Sequence, residues 1–208
     1  MIQVALIDKM GSDLSVVNAA RVSFSKVHIK MEHNDEKLIK YLAEHQHWSP
    51  FAHTSLQFHI QAPVFVARQL AKHQVGLVWN EVSRRYVSDQ PSCYSPDKWR
   101  KAADDKKQGS TNQSVQSSKL ITKMYDEAVR TAVTTYDNMI ELGVCPEQAR
   151  AVLPQSMYTE WYWTGSLYAF SRVCKLRLAP DAQQETREVA LKISEVCDRE
   201  FPVSWKYL

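Results

Sequence analysis

Between residues 120 and 142 the apolar side chains Ile121, Met124, Tyr125, Ala128, Val129, Ala132, Tyr136, Met139 and Ile140 recur at intervals of three and four. That is the period of one face of an α-helix, and Gly143 follows as a residue suited to the left-handed turn that ends one. A stripe of this length needs cover, so it is expected to lie in the core.

The remaining text supplies the elements to cover it. Residues 2–7 are β-branched and loosely alternating, which predicts a strand, with a turn over 8–13 where Gly11 and Ser12 stand. Helical spacing follows over 14–22 and over 35–44, then a His-rich loop at 45–50. A strand is predicted over 53–61, a helix over 64–73 opened by Pro63, and a loop at Gly76. Further on come a helix over 146–152, a strand over 157–163, a helix over 166–176, and a last amphipathic helix running from Pro180 to a stop near Phe201-Pro202. No internal repeat interrupts this order. The expected fold is a single mixed domain over 1–208, α/β of the α+β type, with a long polar insertion at 88–118 that is predicted to be a mobile surface excursion.

Composition narrows the function. An apolar fraction of 44% against 24% charged residues permits a sizeable core and excludes wholesale disorder. No run approaches the ~18 apolar residues of a membrane span, and no basic flank precedes the short apolar start, so a cytoplasmic protein without membrane contact is expected. The net charge of +3 suits local phosphate chemistry and not the coating of nucleic acid. Cys93, Cys145, Cys174 and Cys197 form no C-x-x-C pair, so neither a zinc site nor a disulfide framework is expected, and no other metal site is indicated.

The densest polar text is Lys72-His73-Gln74-Val75-Gly76-Leu77-Val78-Trp79-Asn80-Glu81-Val82-Ser83-Arg84-Arg85-Tyr86, two basic clusters about a glycine turn. Guanidinium groups and backbone amides gathered this way hold phosphates, although solvated surface loops share the composition. Arg150 and the Lys175-Leu176-Arg177 cluster do not stand above background by spacing alone.

Taken in order, these segments resemble the flavin-dependent thymidylate synthases over most of the chain. The similarity lies in Asn18-Ala19-Ala20-Arg21-Val22-Ser23-Phe24, Ser49-Pro50-Phe51-Ala52-His53, the segment from Ala62 to Gln69, Asn80-Glu81-Val82-Ser83-Arg84-Arg85-Tyr86, Ala149-Arg150-Ala151-Val152-Leu153-Pro154-Gln155, Tyr158-Thr159-Glu160, Trp163-Thr164-Gly165 and Lys175-Leu176-Arg177-Leu178. The resemblance implies reductive methylation of deoxyuridylate (dUMP), with methylenetetrahydrofolate as carbon donor and FAD reduced by NADPH as hydride source. It implies Arg177 as the catalytic residue, acting on the uracil ring. Gln69, Lys72, Glu81, Ser83, Arg84, Arg85 and Arg150 join it in binding the nucleotide. Ser49, Lys72, His73, Gln74, Glu81, Ser166, Tyr168 and Arg172 match positions facing the flavin, and His47 one near the folate. It also implies a homotetramer with active sites between subunits.

The chain departs from that family's pattern at three places. Lys72-His73-Gln74 stands for its R-H-R triplet, with eight residues instead of seven before Ser83; Ala52 stands for a Glu, and Asp181 for a His. Lys72 cannot fork onto a phosphate and Gln74 carries no charge, so the changes bear on flavin binding. They also leave open a related methylase or hydroxymethylase acting on dUMP or dCMP. A synthase using Cys145 as nucleophile, and a nucleic-acid module built on Lys72, Trp79, Arg84, Arg85 and Tyr86, are more distant alternatives.

Overall fold

The computed structural model describes residues 1–103 and 109–208. In chain order the elements are β1 (Gln3–Met10), α1 (Asp13–Arg21), α2 (Asp35–Glu44), α3 (Ser49–Ala52), β2 (Ser55–Pro63), α4 (Val64–Leu70), β3 (Leu77–Glu81), β4 (Arg100–Ala102), β5 (Ser110–Ser114), α5 (Ser118–Glu141), α6 (Pro146–Ala149), β6 (Tyr158–Ser166), α7 (Leu167–Arg177), α8 (Gln184–Glu200) and α9 (Pro202–Tyr207). Short 3-10 turns follow α1 and α6.

An antiparallel sheet in the order β1-β2-β6-β3 carries the architecture. Alternation decides its inner face: Leu56, Phe58, Ile60 and Ala62 of β2 and Trp161 and Trp163 of β6 are buried, with Phe58 opposite Trp163 and Ile60 opposite Trp161. Leu167, Phe170 and Val173 of α7, Val189 and Ile193 of α8, and Val66 and Leu70 of α4 complete this core. A smaller cluster of Val16, Val17, Ile39, Leu42 and Phe51 joins α1, α2 and α3, with Tyr168 of α7 packed against it. The α3 segment is thereby fixed beside the start of α7.

Several expectations are corrected. β1 continues through Met10, past the turn expected at 8–13, because a bulge between Leu6 and Asp8 lets it keep pairing with β2. Pro50 sits in the first turn of a short helix, α3, where the His-rich loop was extended too far. Residues 77–81, expected as loop, form edge strand β3 on β6. The last amphipathic helix begins at Gln184 and not at Pro180, and a further helix, α9, follows Phe201. Asp13, nearly buried, receives the backbone N–H groups of Val203 and Ser204 at 3.0 and 2.8 Å, which satisfies the amino end of α9.

The insertion at 88–118 contains structure of its own. β4 and β5 pair, Cys93 bridges to Met157, Trp99 Nε1 donates to Thr122 Oγ1 at 2.9 Å, and Arg100 reaches the buried Glu185. Of that predicted excursion, residues 104–108 lie outside the described residues. The long helix is found at 118–141, but its stripe is not core: only Tyr136 is buried, while Leu120 and Met124 are 59% and 62% exposed. Periodicity specified an apolar face, and within one chain little covers it. No helix among the described residues is long and apolar enough to cross a membrane.

Candidate active site

The carboxyl ends of α4 and α7 meet beyond the inner face of the sheet. Arg177, the last residue of α7, donates through Nε to His73 Nε2 at 2.9 Å and through a terminal nitrogen to the Gln69 carbonyl at 3.4 Å. Burial, reinforced by the charges of Arg177 and Arg172, holds the His73 imidazole below its ordinary pKa, so the ring stays neutral and can accept this bond. Among the described residues Arg177 makes no ion pair. Its charge therefore faces a cavity of about 460 Å³ that it lines with Gln69, Arg100, Asp181 and Gln183.

Next to it, Lys72, His73, Gln74 and Arg172 line a smaller recess of about 170 Å³. Arg172 also borders a cavity of about 570 Å³ with Trp48, Ala52, Gly76, Ser166 and Tyr168. Trp48 and Tyr168 lie with ring centroids 6.2 Å apart, and Ser166 caps α7 by accepting the Ala169 N–H at 3.2 Å. Two glycines set the shape of this cavity. Gly76 adopts φ +77°, and a Cβ on Gly165 would stand 2.7 Å from the Gly76 carbonyl oxygen, so only glycine at 165 lets the turn lie on the corner between β6 and α7. His47 and Ser49 flank Trp48 in the chain, are exposed, and are outside the lining. Aromatic walls, a close-lying backbone turn and a cation at the rim fit a planar ring system carrying phosphates, which is the form of FAD.

The third group surrounds the end of β3. Glu81 accepts from Thr159 Oγ1 at 2.7 Å and from Trp79 Nε1 at 3.1 Å. Glu81, Arg84 and Arg150 line a groove of about 530 Å³ together with Asp89, Gln155 and Tyr158. Arg84 is committed to Asp89, to its carbonyl and at 3.2 Å to its carboxylate. Arg85 lies over the Tyr86 ring and donates through Nε to Ser83 Oγ at 3.1 Å; neither Ser83 nor Arg85 lines the groove.

The expected residues are thus gathered into separate places. Gln69 and Arg177 share one cavity, while Glu81, Arg84 and Arg150 share another. An aromatic cavity of about 470 Å³, lined by Phe65, Tyr94, Trp99 and Tyr125, lies between them: it shares Pro154 and Gln155 with the groove, and Arg100 and Gln183 with the Arg177 cavity.

The sequence reading missed Trp48, Arg100 and Glu185. Glu185, 5% exposed, accepts from Arg100 at 2.8 and 3.1 Å, from Gln183 at 3.1 Å and from the Tyr94 hydroxyl at 3.3 Å. Burial by itself would raise its pKa; hydrogen bonds, led by Arg100, outweigh burial and hold the carboxyl below its ordinary value. Burial and the Glu185 charge in turn push the Tyr94 phenol up. The one available signal was position, since Glu185 stands two residues after Gln183. Among the described residues no group of three His, Cys, Asp or Glu side chains could hold a metal ion. Cys145 is exposed and lines none of these cavities.

Residues 5–203 match the family model described as thymidylate synthase complementing protein. The flavin-dependent thymidylate synthase of Thermus thermophilus is 40% identical over 204 residues, covering 97% of this chain and 73% of that protein. The flavin-dependent thymidylate synthase of Thermosipho africanus is 37% identical over 198 residues, covering 95% of this chain and 86% of its own length. The crystal structure of the UMP/dUMP methylase PolB from Streptomyces cacaoi, bound with 5-Br UMP, superposes with a TM-score of 0.88 at 30% identity, covering 100% of this chain and 93% of that one. With its fold, its ordered segments and this match along nearly the whole chain, the protein belongs to the flavin-dependent thymidylate synthase family.

Proposed function

We propose that this protein methylates dUMP to thymidylate, taking the carbon unit from methylenetetrahydrofolate and using FAD reduced by NADPH. The observation that carries the reading is Arg177, a guanidinium whose partners, a neutral imidazole and a backbone carbonyl, leave its charge available to the cavity. A uracil ring gains nucleophilic character at C5 as negative charge develops on it, and a preoriented, unneutralised cation stabilises that charge. FAD, when bound, supplies the hydride.

In this reading Gln69, Glu81, Ser83, Arg85 and Arg150 hold the nucleotide, the two arginines on its phosphate, with Lys72 and Arg84 nearby. Trp48, Gly76, Ser166, Tyr168 and Arg172 hold the flavin, with Ser49, Lys72, His73, Gln74 and Glu81 toward its edges and His47 toward the folate. Arg172, reaching the recess of Lys72 and Gln74, offers a guanidinium where that stretch has only one cation.

The active enzyme is proposed to be a cytoplasmic homotetramer of single-domain chains. The match over residues 5–203 supports one domain. Two features support assembly: the nucleotide-binding residues do not converge within one chain, and α5 leaves Leu120 and Met124 exposed. Met124→Glu is expected to shift the sedimenting species from four chains to fewer, because a charge would be desolvated in the contact. An unchanged mass would remove α5 from the interface.

The test of function is the mass of the nucleotide formed when the protein is mixed under low oxygen with FAD, NADPH, methylenetetrahydrofolate and dUMP, UMP or dCMP in turn. Methyl gain by dUMP is the expected result. The likeness to a methylase named for both nucleotides favours a second reading in which UMP is also accepted. A hydroxymethyl product, or a product from dCMP alone, would refute the proposal.

A further inference from the structure

Resting on the reading that this chain binds a pyrimidine nucleotide, we propose that Glu185 is a positioning residue: it sets the polarity of the Gln69 amide, and through it the choice of uracil over cytosine. The argument begins with a directional chain of hydrogen bonds. A carboxylate only accepts, so Gln183 must present its Nε2 to Glu185 Oε2, which it does at 3.1 Å. The other end of Gln183, Oε1, then accepts from Gln69 Nε2, a residue 114 positions away. Thr186, fully buried, donates its hydroxyl to Gln69 Oε1 at 3.2 Å.

Both ends of the Gln69 amide are thereby assigned. Turning it over would set two carbonyl oxygens against each other at Gln183 and an amino group against the threonine hydroxyl. Arg100 keeps the chain directional by donating twice to Glu185, and the Tyr94 hydroxyl adds a third donor. The carboxyl is held ionised by these donors against its burial. Arg100 belongs to β4, so the polar insertion clamps the recognition chain and does more than decorate the surface.

Gln69 lines the same cavity as Arg177 and retains one amide hydrogen and one carbonyl lone pair beyond the bonds described. Uracil presents an N3–H donor between carbonyl acceptors, whereas cytosine presents an N3 acceptor beside an amino donor. An amide fixed in one polarity matches one edge and meets donor with donor, or acceptor with acceptor, on the other. An amide free to turn over accepts both.

The experiment is calorimetric binding of dUMP and of dCMP to the FAD-loaded full-length protein, for wild type, Glu185→Gln and Gln183→Met. Glu185→Gln keeps the volume but lets position 185 donate; Gln183→Met cuts the link while leaving the Arg100–Glu185 pair. Wild type is expected to prefer dUMP, and each variant to narrow the ratio of the two affinities by about tenfold or more. A wild-type ratio in Glu185→Gln overturns the inference even if its melting temperature falls, because a merely structural carboxylate changes stability without changing selectivity. Should that variant fail to fold, Gln183→Met decides in the same way. A wild type that binds dUMP no better than dCMP overturns the proposed function as well; a wild type that discriminates, beside variants that discriminate equally, overturns only the role of Glu185.

Discussion

Arg177→Ala is expected to lower turnover of dUMP by about 10²–10³-fold, the usual cost of removing one preoriented donor from a developing anion. Because the phosphate is assigned to Arg85 and Arg150 on the far groove, dUMP affinity is expected to change much less than the rate, so the loss falls on kcat more than on KM. Arg177→Lys is expected to recover only part of it, since an ammonium cannot reproduce a planar donor that meets the His73 ring and the Gln69 carbonyl together. A pH dependence follows from the same contact. His73 has its pKa lowered, so the ring is neutral at and above the ordinary imidazole value and accepts from Arg177 there. As pH falls through the lowered value the ring protonates, the acceptor is lost, and two cations face each other. Turnover should therefore decline on the acid side, and the wild-type decline should flatten in His73→Gln. Single-turnover product formation measures both effects, and an alanine variant with undiminished turnover would remove Arg177 from the chemistry.

Trp163→Ala is expected to cost about 3–5 kcal/mol, a large part of the stability of a typical domain. Trp163 has no exposed surface and stands opposite Phe58 on one side and Trp79 on the other. Its indole meets Phe170 of α7 edge-on at 5.4 Å and Trp79 at 5.5 Å, so it joins the sheet to the helix that carries Tyr168, Arg172 and Arg177. Neighbouring Trp161, stacked on Trp79 at 4.3 Å, cannot refill the space without giving up that contact. Urea titration at fixed protein concentration is the measurement, because assembly makes the midpoint concentration-dependent. A loss of under about 1 kcal/mol would mean that the core repacks freely and that Trp163 is not its keystone.

Much of the fold was legible in local text, and the failures have physical causes. Strand β2 was read nearly to its ends because alternation and burial agree along it. The long helix was read correctly as a helix and wrongly as core, since a 3.6-residue period specifies a face without saying which chain covers it. β3 was missed because Leu77–Glu81 is an edge strand of mixed polarity whose conformation comes from pairing with β6, not from its own pattern. The β4–β5 pair, made of polar residues, is held by Trp99 and Arg100 contacts to distant helices.

The site divides in the same way. The residue types and their order, from Gln69 through Arg177, carried the family likeness without any coordinates, and with it the chemistry expected of arginines, amides and a neutral histidine. What the sequence by itself determined is this inventory, together with the elements whose period and turn residues are local. Only the tertiary structure decided that Arg177 meets the Gln69 carbonyl 108 residues earlier, that Arg84 turns to Asp89, that Arg150 lies with Glu81 in a separate groove, and that Glu185 closes a chain reaching Gln69. Local preferences are properties of a few neighbouring residues, whereas such meetings depend on how the packed sheet and helices close loops of a hundred residues, which no local pattern records.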